Sequence, residues 1–176
     1  MPSALRSTVI VPVPEVADAV DRWREETCND KPSVGVPAHI TLVFPFAPAS
    51  QLDELVIASL ADVVGEASAF AFELRKPARF PTTLYLAPEP VLPFIHLTEA
   101  IVHRFPEHPP YEGAFDDVVP HLTVAHGDAA LMDEAEADVE RSLPIESVAR
   151  EVILLEEVEP DWGRWKARAR LPLTSR

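Results

Sequence analysis

Apolar residues recur along the chain with two periods, which predict strands and helices. A β-branched run at 5–12 predicts a strand, and apolar positions three and four apart predict a helix from Pro14 to about Glu26. The same patterns predict strands at 39–44, 69–80, 82–88, 121–126, 147–158 and 164–173, and helices at about 51–65, 92–105 and 129–143. Ser50 and Asp128 are the expected N-caps of the helices that follow them, because short polar side chains accept bonds from free helix amides.

Two of the predicted strands carry the same motif, His-x-Thr followed by an apolar residue. The sequences are HITLVF at 39–44 and HLTVAH at 121–126, and each precedes a helix and two strands. A strand–helix–strand–strand unit alone would expose one sheet face, so two units should pack together. We therefore predict an α+β fold with two pseudo-symmetric lobes of mainly antiparallel sheet and outer helices. One domain should cover 1–176, with lobes at about 1–90 and 119–176 joined by a helix and loop at about 91–118.

Strand alternation divides each motif between two faces. In the first motif His39, Thr41 and Val43 share one face, and Phe44 belongs with the apolar residues of the other. In the second motif the same rule places His126 on the face opposite to the motif histidine, away from any shared site.

The repeated residue types suit acid–base chemistry on a phosphate. Two imidazoles on either side of a phosphodiester supply a general base and a general acid, because the ordinary histidine pKa of about 6.5 makes both protonation states accessible near neutral pH. A threonine hydroxyl two residues along the strand donates a hydrogen bond to a phosphate oxygen. This arrangement requires no metal, and we expect none.

Composition and net charge limit the class of substrate. The chain has 15 basic and 29 acidic residues, a net charge of −14, which argues against long nucleic acid but permits a small anion in a locally positive pocket. Only 5 glycines are present, and no glycine-rich phosphate loop occurs. The 1 cysteine, the absence of a signal-peptide pattern and the absence of a long apolar run predict a cytoplasmic protein that does not enter a membrane.

The paired motifs resemble the two-histidine (2H) phosphoesterase superfamily, and more narrowly the bacterial 2'-5' RNA ligase and cyclic phosphodiesterase-like proteins. This resemblance implies a cleft between the lobes and opening of 2',3'-cyclic phosphates without a metal or other cofactor, or related transfer at 2'-5' linkages. It implies that His39 and His121 are catalytic and that Thr41 and Thr123 hold the phosphate. The resemblance supports the pair more than its order; we take His121 as the base and His39 as the acid.

Three further residues are candidate substrate contacts. Tyr111 and Trp162 lie in predicted loops and are candidates for base stacking, and Arg168 belongs to a basic face of the last strand. Core capping by the aromatics and a solvated basic face are the alternatives. A third His-x-Thr, His96 and Thr98, lies in a predicted helix where these positions do not share a face, so we read it as coincidental.

The expected partner is a small nucleotide or an RNA-end cyclic phosphate bound by a monomer. Two alternatives stay open on the sequence. One is a non-catalytic module that binds a nucleotide in the same cleft, and the other is a hydrolase or lyase acting on a cyclic phosphate attached to a sugar.

Overall fold

Eight strands and four α-helices form within residues 4–27, 34–114 and 118–175, the part of the chain that the computed structural model describes. The strands are β1 (Ser7–Pro12), β2 (His39–Val43), β3 (Phe70–Phe80), β4 (Thr83–Glu89), β5 (Leu122–His126), β6 (Ile145–Ala149), β7 (Glu151–Glu159) and β8 (Arg164–Pro172). The helices are α1 (Ala17–Thr27), α2 (Glu54–Glu66), α3 (Leu92–Arg104) and α4 (Ala129–Glu140).

Two local predictions need correction. Asp53, and not Ser50, caps α2, because its carboxylate accepts the Val56 amide hydrogen at 2.9 Å while Ser50 lies in a short 3-10 turn. The strand predicted at 147–158 is two strands, β6 and β7, which break at Arg150 and enter different sheets. The predicted cap at Asp128 is confirmed, with its carboxylate 2.9 Å from the Leu131 nitrogen.

The strands form two antiparallel sheets of four, which confirms the predicted fold class. Their orders are β2-β1-β7-β8 and β5-β4-β3-β6. Each sheet combines strands from the first and second halves of the sequence, so the sheets do not follow the predicted lobe boundaries near 90 and 119. The physical reason is that β6 and β7, although consecutive, pair with partners in different sheets, β3 and β1.

The internal repeat exists, but its unit differs from the one predicted. The motif strands β2 and β5 are each the edge strand of their sheet, and their partners are β1 and β4. The corresponding units are therefore β1–α1–β2–α2 and β4–α3–β5–α4. The predicted strand–helix–strand–strand units would make 82–88, the last strand of the first unit, equivalent to 164–173, the last strand of the second. This equivalence is wrong, because β4 adjoins a motif strand while β8 lies at the far edge from β2.

In each unit, one helix precedes the motif strand. This helix packs against the motif strand of the other unit. Helix α1 packs on β5, where the Thr27 hydroxyl accepts the His126 amide hydrogen at 3.0 Å. Helix α3 packs on β2, where the Thr98 hydroxyl donates to the Leu42 carbonyl at 3.1 Å. This exchange of helices joins the two sheets and fixes the two motif strands relative to each other.

The main core lies between the sheets and the helices, and Phe94 of α3 is fully buried in it. Its ring meets Phe70 and Phe72 of β3 edge-to-face, with centroid distances of 5.0 Å and 5.0 Å. Helix α3 therefore contacts both β2 of one sheet and β3 of the other. None of the helices in the described residues has the length and apolarity needed to span a membrane.

We expect Phe94→Ala to lower the free energy of unfolding by about 3–5 kcal/mol, because it removes a fully buried ring that packs on Phe70 and Phe72 of β3. The matched control is Leu92→Ala on the same helix, which is 57% exposed and should change stability by less than about 0.5 kcal/mol. Urea denaturation of both variants measures the difference. Equal losses would contradict the assignment of Phe94 as a core contact.

Candidate active site

Both motif strands contain one extra residue at the same place. Opposite the consecutive residues Val9 and Ile10 of β1, strand β2 places Val43 and Thr41, so Leu42 is extra. Opposite Leu84 and Tyr85 of β4, strand β5 places Ala125 and Thr123, so Val124 is extra. In each motif the extra residue directly follows the threonine, and such a bulge reverses the alternation of the residues after it.

The two bulges change which side chains face the cleft. Val43 and Ala125 are fully buried, whereas Phe44 and His126 line cavities that also contain His39. The prediction that His126 and Phe44 lie on the face opposite to the motif histidines is therefore wrong. The alternation on which it rested does not continue through the bulge.

The two motif histidines are held in the same way. His39 Nδ1 lies 2.7 Å from the Pro37 carbonyl oxygen, and His121 Nδ1 lies 2.7 Å from the Val119 carbonyl oxygen. A carbonyl oxygen only accepts hydrogen bonds, so each neutral ring carries its hydrogen on Nδ1 and has its lone pair on Nε2. The backbone two residues before each histidine thus selects the tautomer and orients the ring.

Strands β2 and β5 contact each other, and residues of both strands line one cavity. A cavity of about 660 Å³ is lined by His39, Thr123 and His126, with walls from the end of α1 and residues 34–37. A second cavity of about 300 Å³ is lined by His39 and Thr41, together with Phe44 and Trp165. His39 therefore borders both cavities, and each cavity contains one motif threonine.

The His39 ring reaches solvent through these cavities but is otherwise enclosed by protein atoms, which disfavours its cation. Burial lowers the pKa of His39 to about 4; the bond to the Pro37 carbonyl opposes this shift, while the charges of Arg24 and His121 add to it. Burial and the charge of His121 also lower the pKa of His126. His121 therefore lies close enough to both rings for their charges to interact.

His121 packs against two aromatic rings of the second sheet. Phe80 and Tyr85 stack on each other with a centroid distance of 4.3 Å, and both meet the His121 ring at their edges, at 5.2 Å and 5.5 Å. These contacts restrict the ring without supplying a charge.

Comparison with known proteins identifies the family. The sequence profile of the 2'-5' RNA ligase superfamily matches residues 12–161, which include both motifs. The chain belongs to this superfamily. No curated protein matches the chain in sequence.

Several solved structures have the same fold as this chain, although their sequence identity to it is low. LigT of E. coli complexed with 3'-AMP is 16% identical, with a TM-score of 0.60 over 98% of this chain and 99% of that chain. The same protein complexed with NADP+ is 16% identical with a TM-score of 0.61, over 98% and 99%. TT0787 of Thermus thermophilus is 19% identical with a TM-score of 0.64, over 95% and 97%.

Three further substrate contacts were predicted from the sequence: Tyr111, Trp162 and Arg168. None of them lines either of the two cavities at His39. Trp162 is 70% exposed, and the amide of Tyr111 donates to the Phe44 carbonyl at 2.6 Å. Arg168 donates to the Leu52 carbonyl at 3.2 Å and lies near Glu156. In the third His-x-Thr, His96 is exposed and Thr98 is buried against β2.

Sequence reasoning missed an arginine and two aromatic residues beside His39. Arg6 forms a two-pronged ion pair with the buried Glu157, at 3.1 Å from Nε and 2.8 Å from Nη2. Its guanidinium also lies over Phe44 and Trp165, at 5.5 Å and 5.7 Å from the ring centroids. Arg6 and Glu157 are far apart in sequence, and no motif signals their pairing.

Among the described residues, no three His, Cys, Asp or Glu side chains converge as a metal site. The side chains that line the two cavities at His39 include hydroxyl and guanidinium groups, which donate hydrogen bonds, and imidazoles, of which His39 donates through Nε2 only when its ring is protonated.

The lowered pKa of His39 predicts a pH dependence of stability. Below pH 6.5 the His39 side chain of the unfolded chain binds a proton, whereas in the folded protein it does so only near pH 4. The free energy of unfolding therefore decreases as the pH is lowered from 6.5 to about 4. Between pH 7.5 and 4.5 the free energy of unfolding should decrease by about 2 kcal/mol less in His39→Gln than in wild type. Urea denaturation at pH 7.5 and 4.5 measures this, with His96→Gln as the control. Equal losses in wild type and His39→Gln would show an ordinary pKa.

Proposed function

We propose that the protein is a metal-independent phosphodiesterase that opens nucleoside or RNA-terminal 2',3'-cyclic phosphates by two-histidine acid–base catalysis. The observation that carries this proposal is the matched pair of motifs. Each lies on a bulged edge strand, and each has its imidazole fixed through Nδ1 so that Nε2 is the reactive nitrogen.

The reaction needs one base and one acid on opposite sides of the phosphorus. The Nε2 lone pair of one histidine takes a proton from water as the water oxygen bonds to phosphorus. The bond from phosphorus to the 2' or 3' oxygen breaks, and the protonated Nε2 of the other histidine gives that oxygen its proton. The product is a phosphomonoester, and the two histidines exchange protonation states, which solvent restores.

In this proposal Thr41 and Thr123 stabilise the charge that develops on the non-bridging oxygens. Each hydroxyl follows its histidine by two residues on the same strand face and lines a cavity that also contains His39. Donors fixed before the reaction begins lower its barrier because they need no reorganisation. A ribose hydroxyl in place of the water would give transfer at a 2'-5' linkage by the same steps.

The smaller cavity supplies a wall for the nucleoside. Phe44 and Trp165 flank Arg6 there, and aromatic or guanidinium planes stack on bases of any sequence. LigT of E. coli, which shares the fold, has been solved in complex with 3'-AMP, which supports a small nucleotide as the substrate class. The net charge of −14 also favours a small substrate over long RNA.

His39→Ala and His121→Ala should each lower kcat by about 100- to 10,000-fold, because each removes one proton-transfer group. The assay is hydrolysis of the four 2',3'-cyclic mononucleotides and a cyclic-phosphate-ended oligonucleotide in EDTA. His96→Ala is the matched control, since this exposed histidine belongs to the coincidental third motif and should leave kcat unchanged. Stoichiometric nucleotide binding with no product from wild type would favour the non-catalytic binding module.

Trp165→Leu should raise KM for cyclic nucleotides by about 10-fold with a smaller change in kcat, because it removes a stacking surface worth about 1–3 kcal/mol. Trp162→Leu is the control: it alters a nearby tryptophan that does not line the cavity. Initial rates over a range of substrate concentrations separate KM from kcat. An unchanged KM in Trp165→Leu would place the base elsewhere.

A further inference from the structure

Residues 34–37, which lead into β2, separate the two cavities at His39. Val36 and His39 line both cavities, and no other described residue does. Pro37 supplies the carbonyl oxygen that accepts from His39 Nδ1 at 2.7 Å. This short segment is therefore the wall between the cavities and also the support of the imidazole that borders both.

The segment is joined to the first residues of β8. The Val34 amide donates to the Gly163 carbonyl at 2.9 Å, and the Trp165 amide donates to the Val34 carbonyl at 2.9 Å. Val36 and Trp165 also pack against the same small apolar cluster, which includes Ile10. Because Trp165 forms a wall of the smaller cavity, the contact with β8 places that wall relative to the segment.

Helix α1 holds the same segment through one arginine. Arg24 Nη2 donates to the Val36 and Pro37 carbonyls, at 3.1 Å and 3.1 Å, and its Nη1 donates to Asp21 of the same helix at 2.9 Å. The Pro37 oxygen thus accepts from both Arg24 and His39. Its position depends on the contact of the segment with β8 as well as with α1.

Gly35 lies against the backbone of β8 with no room for a side chain. Its φ is +88°, and a methyl group added there would lie 2.2 Å from the Trp165 carbonyl oxygen and 3.2 Å from its carbonyl carbon, whereas ordinary contacts begin at 3.4 Å. The obstacle is backbone that pairs with β7 opposite Glu157, so it cannot rotate away as a side chain would. Any side chain at position 35 would therefore push the segment away from β8 by about 1 Å.

A displacement of this size would affect both cavities. If the Pro37 oxygen moves by about 1 Å, its 2.7 Å bond with His39 leaves the usual range of N–H···O bonds, and the ring is free to carry its hydrogen on either nitrogen. The Trp165 ring would also lie at a different distance from His39. A nucleotide could then no longer meet the imidazole and the aromatic wall in their native arrangement.

We propose that Gly35 is a positioning residue for the reaction. Because it has no side chain, residues 34–37 lie directly against β8, and this one contact sets both the orientation of the His39 imidazole and its distance from the Trp165 wall. The proposal rests on the proposed function, which assigns these two groups to proton transfer and to base stacking.

The first test determines the His39 tautomer without substrate. Long-range 1H–15N correlation spectra at pH 8.5, where an ordinary histidine is neutral, distinguish protonated from unprotonated ring nitrogens. In wild type His39 and His121 should both carry the hydrogen on Nδ1. In Gly35→Ala the His39 hydrogen should be shared between Nδ1 and Nε2, whereas His121, which the Val119 carbonyl holds, should keep the wild-type state.

Gly65→Ala is the matched control, because a methyl group added there meets no atom within 4 Å, and it should leave both histidines unchanged. Dispersed amide spectra show that each variant is folded. A folded Gly35→Ala protein with the wild-type His39 tautomer would overturn the proposal. If Gly35→Ala does not fold, Val34→Pro replaces it, since proline cannot donate to the Gly163 carbonyl; an unchanged His39 tautomer there would also overturn the proposal.

Gly35→Asn separates the close approach from the positive φ. Asparagine adopts positive φ more readily than alanine, but both residues add the same Cβ atom. The close approach to Trp165 therefore predicts that Asn and Ala disturb the His39 tautomer equally. A near-native tautomer in Gly35→Asn alone would make backbone conformation the cause and contradict the proposal.

The second test separates kcat from KM for a 2',3'-cyclic nucleotide. Gly35→Ala should lower kcat by about 100-fold, because a misplacement of about 1 Å costs about that much, and should raise KM by about 10-fold through the displaced stacking wall. Gly65→Ala should leave both constants unchanged. A raised KM with an unchanged kcat would mean that position 35 acts on the wall alone, which overturns the coupling. Absence of turnover in wild type would refute the proposed function, whereas the tautomer result would still decide the role of Gly35.

Discussion

The site depends on one constraint, an extra residue at the same place in two edge strands that lie against each other. Leu42 and Val124 are the residues inserted, and the backbone turns over after each of them. Before the bulge, His39 and the two motif threonines line the cavities; after it, Phe44 and His126 do so. A regular strand would have buried these last two side chains and left Val43 and Ala125 in the cleft.

Exchange of helices connects this constraint to the stability of the whole molecule. Helix α1 lies on β5 and helix α3 on β2, and a threonine from each helix bonds to the backbone of the strand it covers. The motif strands are therefore supported by the opposite unit, and the distance between the histidines is set by core packing. Trp23 adds a bond from α1 to Asp138 of α4 at 2.7 Å, which anchors the helix that presents Arg24.

An acidic protein with a net charge of −14 needs local donors to hold an anion. The cleft arginines are already paired, Arg6 with Glu157 and Arg24 with Asp21, so they contribute shape and fixed hydrogen-bond geometry more than free charge. Under the proposed function, a phosphate in the cleft would meet mainly oriented O–H groups and the N–H of a protonated imidazole. Such groups act on a small anion at short range and attract a long polyanion weakly, because long-range attraction depends on uncompensated charge.

The sequence alone determined the strand and helix types, the α+β class, the existence of a twofold repeat but not its unit, and the family, because periodicity and the His-x-Thr motifs are local signals. It could not determine that Ile145–Ala149 and Glu151–Glu159 enter different sheets, since one residue separates them and only their distant partners distinguish them. It could not place His126 in the cleft, because the apolar run after each threonine fits a regular strand as well as a bulged one. Likewise, Arg6 bonds to Glu157, which is remote in sequence, and Arg24 reaches His39 only through the Pro37 carbonyl. Tertiary packing therefore decided that these charges lie beside His39.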